Sequence, residues 1–210
     1  MHVPSRSTLE IEIEPFERAL SLSEQPSDKY DVSRWLYVPS TYSEYRYILG
    51  TKGERPLICI GINPSTAEPD NLDNTLKSVE RIALRSGYDS FIMFNVYAQR
   101  ATRPNDMEKE LNTYMHRENM RAFEYILSLS KHSSPDVWAA WGTIIETRDY
   151  LADCVRDMIE IGKKYSANWY TAGARSKKAG HPHHPLYLSK DSLLEAFDVS
   201  GYLDGLARLK

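Results

Sequence analysis

Cysteine is nearly missing from this chain: Cys59 and Cys154 are the two in 210 residues. Two thiols cannot build a disulfide framework or a four-thiolate metal site. Cys59 also lies inside the apolar run LICIGI, where a thiol reads as a small buried hydrophobe. Positive charge is not in excess either. Lys and Arg number 26 against 29 Asp and Glu, for a net charge of −3. That balance argues against coating nucleic acid by bulk charge, and it leaves room for a local basic patch. No stretch approaches the roughly 18 apolar residues of a spanning helix. The opening MHVPSRSTLEIEIE has no apolar signal core, so a soluble cytoplasmic protein with no membrane partner is expected. Also missing are G-x-x-x-x-G-K-[ST], G-x-G-x-x-G and G-x-S-x-G. Their absence removes the best support for NTPase, dinucleotide-binding and α/β-hydrolase chemistry.

What is present reads as one α/β domain over 41–197, after an N-terminal extension (1–40) and before a C-terminal tail (198–210). In the extension, Leu9–Ile13 alternates like a surface strand and Phe16–Leu22 has the length of one short helix. TYSEYRYIL is β-prone, GTKGERP is turn chemistry, and LICIGI is a buried strand too short for a helix. A helix is predicted over Leu72–Ser86, closed by Gly87, and a buried strand over Ser90–Tyr97. Asp106 is predicted to cap helical sequence towards Lys131, with a break near Asn112–Asn119. DVWAAWG (Asp136–Gly142) and NWYTA (Asn168–Ala172) read as two more strands, separated by a helix over Thr143–Ile161. This alternation implies a three-layer sandwich around a mainly parallel four-stranded sheet, with one antiparallel N-terminal strand.

Ligands of such sheets bind at the carboxyl ends of the strands. Four polar segments leave those ends: GINPST, NVYAQRAT, AWGT and GHPHHPLY. In the first, Gly61 allows a tight turn, Pro64 fixes the chain, and Ile62, Asn63, Ser65 and Thr66 face a substrate or tie off the turn. Asn95 ends an apolar strand, where its amide could read the edge of a base or satisfy neighbouring backbone. Tyr97 and Trp141 are aromatics available for stacking. Arg100 and Arg103 in the next loop, and Arg175, Lys177 and Lys178 before the histidines, are candidate phosphate contacts or solvated surface. His181, His183 and His184 lack helical spacing and a nearby Cys or Glu, so no metal and no cofactor are expected. A His donating to a developing anion is the better use of that loop.

The order GINPST, LDNTLKSVERIALRSGYDSF, NVYAQRATRPND, AAWG and GHPHHPLYL resembles the domain-of-unknown-function family 1643, from about Tyr45 to Leu188. More distantly, the order is similar to that of the uracil-DNA glycosylase superfamily. GINPS resembles the GINPG of its mismatch-specific branch, and NVYAQRATRPND the N-x-x-x-x-R-P loop of its thermostable branch. That second resemblance implies a glycosylase-like sandwich in which Asn63 orients a water, Asn95 reads the base, His184 stabilises the departing base anion and Leu186 stands near a wedge. The expected function is then hydrolysis of an N-glycosidic bond in a nucleotide or nucleic acid. The alternative is a non-catalytic module that binds a nucleotide or modified DNA. Nothing in the sequence sets an oligomeric state.

Overall fold

In the computed structural model, residues 1–130 and 133–207 are described. The chain builds one seven-stranded mixed sheet with helices on both faces. Its strands are β1 (Trp35–Val38), β2 (Ile48–Thr51), β3 (Pro56–Gly61), β4 (Ser90–Asn95), β5 (Asp136–Ala139), β6 (Asn168–Ala172) and β7 (Leu194–Ala196). They lie in the order β1-β2-β4-β3-β5-β6-β7. The inner four run parallel, while β1, β2 and β7 pair antiparallel at the two sides.

The sheet is therefore larger than the four strands plus one expected from the sequence. β7 is three residues and β1 four, too short to show a period. β1 belongs to the expected N-terminal extension, yet it pairs with β2 in register Trp35↔Thr51 to Val38↔Ile48. TYSEYRYIL forms strand only from Ile48, with an isolated bridge between Tyr45 and Gln99 before it.

The continuous apolar runs have a direct cause. In β3, Leu57 and Cys59 face one core cluster while Ile58 and Ile60 face the other. Phe91 and Met93 of β4 are likewise separated from Ile92 and Phe94. A strand covered on both sides has no polar face to alternate with. α2 (Asn74–Arg85) covers one face through Leu76, Val79, Ile82 and Ala83. The other face carries α1 (Phe16–Ser23), α3 (Thr113–Ser128), α4 (Asp149–Lys164) and α5 (Val199–Ala207). Among the described residues no helix is long and apolar enough to cross a membrane.

Caps set the helix ends. Asp73 Oδ1 accepts from Leu76 N at 2.9 Å to start α2. Gly87, at φ 85°, ends it, with Gly87 N bonded to Leu84 O and Tyr88 N to Ala83 O in a Schellman motif. Asp106 is not the cap of α3: Pro104–Asp106 is a single 3-10 turn, and Asn112 Oδ1 caps the helix by accepting from Met115 N at 3.1 Å. Helix α3 ends at Ser128, and Lys131 lies outside the described residues. The helix expected over Thr143–Ile161 is split into a 3-10 turn (Gly142–Thr147) and α4 by extended Arg148. The Arg148 guanidinium donates to the carbonyls of Asn105, Met107 and Glu108, tying the loop after β4 to the start of α4.

Candidate functional site

The carboxyl ends of the inner strands converge on a pocket of about 420 Å³, within the range of small-molecule sites. GINPST (61–66) forms one wall, with Asn95, Ala101 and Thr102 beside it. Asp73 to Leu76 at the start of α2, Ile144, and His184, Leu186 and Tyr187 line it further, with Arg46, Met93 and Pro104.

At the inner end, Gly61 and Asn95 are register partners on adjacent parallel strands. A Cβ on residue 61 would stand 2.6 Å from Met93 Cε and 3.2 Å from Asn95 Oδ1. Glycine is thus what lets the Asn95 amide occupy this position. Asn95 is 1% exposed, and neither its Nδ2 nor its Oδ1 has a hydrogen-bond partner. Its backbone is fixed: Asn119 Nδ2 on α3 donates to Asn95 O at 3.0 Å and to Val96 O at 3.3 Å. Buried amides are normally paired, so a rigidly held donor and acceptor with nothing to bind mark a place for a ligand.

Asn63 divides its amide between the fold and the pocket. Nδ2 donates to Ala101 O at 2.7 Å and Pro64 O at 3.1 Å. Both partners are carbonyls, so the nitrogen must face them. Oδ1, with no partner among the described residues, is left as an acceptor on a pocket-lining side chain. The same wall is tied across by Ala101 N to Pro64 O at 2.9 Å and by Ser65 Oγ to Thr102 Oγ1 at 3.1 Å. Thr66 is half-buried and Ile62 packs into the core from the wall.

His184 reaches the pocket from the loop after β6. Its Nδ1 accepts from Leu186 N at 3.3 Å, so the neutral ring carries its proton on Nε2. Burial pushes its pKa below the ordinary histidine value, partly offset by the Asp73 charge. The ring is neutral at pH 7 and offers an N–H donor. Gly142, at φ 62°, lets the chain leaving β5 pass His184: a Cβ there would come within 3.4 Å of His184 Cβ. The other histidines serve the fold. His181 joins Tyr202 Oη at 2.8 Å and Glu146 Oε1 at 2.9 Å, and His183 Nδ1 donates to His184 O. No group of three or more His, Cys, Asp or Glu that could hold a metal occurs among the described residues.

The expected stacking aromatics are elsewhere. Tyr97 is buried against Tyr150, with its hydroxyl accepting from Asn112 N, and Trp141 is packed among Trp169, Phe197 and Tyr202. The aromatic at the pocket mouth is Tyr187, 77% exposed beside Leu186. Arg100 is not on the surface. Its Nη1 donates to Ser65 O and Ala67 O, its Nη2 to Tyr37 Oη, and its guanidinium lies 4.2 Å from the Tyr42 ring centroid. It braces the wall from behind. Arg103 is exposed between the pocket-lining Thr102 and Pro104. Arg175, Lys177 and Lys178 are exposed and do not line this pocket. Burial pushes both thiols up, Cys154 to about 12, which leaves neither as a nucleophile at neutral pH.

Met93 and Arg46 are among the lining residues that carried no functional signal in the sequence. Asp73, within the expected helix, reads as an acidic group that would repel phosphates on that side, and Met93 lies mid-strand. Arg46 sits in a tyrosine-rich strand-like segment that suggests exposure, yet it is 1% exposed.

The family model for the protein of unknown function DUF1643 matches residues 46–186, and the chain belongs to that family. No curated protein and no solved structure matches it.

Proposed function

We propose that this member of the family hydrolyses an N-glycosidic bond, releasing a base from a nucleotide or nucleic acid. The observation that carries the reading is the Asn95 side chain, buried at the pocket with donor and acceptor both unpartnered. One adjacent donor and acceptor is what the edge of a pyrimidine or purine matches. The order of the rim motifs, similar to the uracil-DNA glycosylase superfamily, supports the same reading.

In this mechanism the C1′–N bond breaks and its electrons leave with the base. Asn95 Nδ2–H and His184 Nε2–H stabilise the negative charge on that base. A water held by Asn63 Oδ1 adds to the oxocarbenium-like C1′, and its proton passes to solvent. An amide cannot take that proton, so Asn63 acts by position. Tyr187 at the mouth supplies an exposed face for stacking.

The same amide at position 63 favours a second reading, a module that binds the base without turnover. Base release from a panel of nucleosides, nucleotides and oligonucleotides with uracil, deaminated, mismatched or hypermodified bases separates the two. Hydrolysis predicts release that Asn63→Ala and His184→Ala each reduce about 100-fold, the scale of losing one positioned donor or water. Saturable binding of a panel member with no release establishes the module instead.

A further inference from the structure

Two arginines lie buried behind the GINPST wall, and neither forms an ion pair with a carboxylate among the described residues. Arg46 is 1% and Arg100 0% exposed. The arginines that pair with acidic groups are others, at the surface. Arg46 Nη1 and Arg100 Nη1 both donate to the same carbonyl, Ala67 O, at 3.1 and 3.3 Å. Two like charges therefore meet in the interior with only neutral acceptors. Such charges are costly unless an anion compensates them. Desolvation, and then the charge of Arg100, push the Arg46 pKa down to about 9, partly offset by the Asp73 charge. It remains a cation at neutral pH.

The two differ in one respect. Arg100 has three protein acceptors and does not line the pocket. Both leave Nε without an acceptor, but Arg46 does line the pocket, and no described residue accepts from its Nη2. The first turn of the twelve-residue helix α2 lines the same pocket through Asn74 and Thr75. Thr66 adds a hydroxyl on the wall. Helix N-terminal amides favour anions, and a buried guanidinium provides forked donors for a phosphate. The one opposing charge in the lining is Asp73, whose Oδ1 is engaged with Leu76 N in capping the helix.

We infer that the pocket takes a free nucleoside monophosphate, its base on Asn95 and its terminal phosphate on Arg46 and the start of α2. This rests on the base-reading role proposed above, and it narrows the substrate to a mononucleotide. A phosphate monoester carries close to two negative charges, matching the two buried guanidiniums. The basic side chains that would follow a polymer, Arg175, Lys177 and Lys178, stay outside the pocket.

Calorimetric titration of the full chain at fixed ionic strength tests this. The ligands are nucleosides, their 5′-monophosphates, short oligonucleotides of the same base, and inorganic phosphate. A charge-assisted contact predicts that a monophosphate binds about 10- to 100-fold tighter than its nucleoside. Arg46→Gln should erase that advantage and leave nucleoside affinity unchanged. Inorganic phosphate should compete with the monophosphate, which supports the site even when the variant does not fold. Equal affinity for nucleoside and monophosphate in the wild type overturns the phosphate site and leaves the base reading intact. Oligonucleotides binding as tightly as monophosphates, with the same loss in Arg46→Gln, overturn the restriction to mononucleotides. Binding of inorganic phosphate with no affinity for any nucleoside overturns the base reading and the mononucleotide assignment together.

Discussion

Replacing Asn95 by leucine should make this protein more stable while removing its ligand. The side chain is 1% exposed, and both amide atoms lack partners. A buried polar atom without a hydrogen bond costs about 1–3 kcal/mol. For the two atoms of one amide, about 2–4 kcal/mol is a fair sum. Leucine has similar size and no polar atoms. Its methyls would approach Gly61 and Met93, where a Cβ on residue 61 already comes within 2.6 Å of Met93 Cε, and that crowding costs about 1 kcal/mol. The net expectation is a gain of about 1–3 kcal/mol. For a chain of this size that raises Tm by roughly 3–10 °C. Thermal unfolding followed by circular dichroism, with urea titration at unchanged m-value, measures it. Asn119→Leu is the control: its Nδ2 bonds Asn95 O and Val96 O, while its Oδ1 is unpartnered, so it should gain nothing and lose about 1 kcal/mol. A leucine variant at 95 less stable than wild type by about 1 kcal/mol or more would show that the amide is already satisfied.

Arg100→Ala should destabilise the fold by about 3–5 kcal/mol, since Ser65 O, Ala67 O and Tyr37 Oη lose their donor together. Arg103→Ala, an exposed side chain, should change stability by less than about 0.5 kcal/mol in the same urea titration. His184 should titrate below its ordinary value of 6.5, because burial disfavours its cation. Between that value and its depressed folded one, the unfolded state holds the proton and the folded state does not. Stability is therefore complete above pH 6.5 and declines as pH falls below it. Base release depends on the folded ring alone, so it should stay flat from pH 8 through 6.5 and fall only around the depressed value below it. An NMR titration of the ring with a midpoint at or above 6.5 would contradict the neutral-donor role.

Much of the architecture could be read from residue order, because its determinants are local. LICIGI and the FIMF of SFIMFN are apolar at every position facing either layer, and α2 carries both its cap, Asp73, and its stop, Gly87. From that pattern the rim follows, and with it Asn63, Asn95 and His184, which the structure brings to one pocket. The errors are non-local. Tyr97 lies just past the end of β4, and its direction is decided by Tyr150, 53 positions further along the chain, an aromatic contact that no spacing rule exposes. Arg46 and Arg100 read as surface charges because burial of a cation depends on packing from distant segments: Ser65, Ala67 and Tyr37. β1 and β7 take their identity from neighbours already in the sheet. Tyr187 was within reach, three residues past His184 in an exposed proline loop.

The Asn95 side chain, as an unpaired base reader, should show ligand at its own side-chain amide resonance, followed in ¹⁵N-labelled protein as free bases and nucleotides are titrated in. The expected result is a saturable downfield shift and slowed exchange of the Asn95 side-chain protons for one base class, with the Asn119 side chain unmoved. Saturable binding that shifts only Tyr187 and its exposed neighbours, leaving Asn95 where it began, would contradict it.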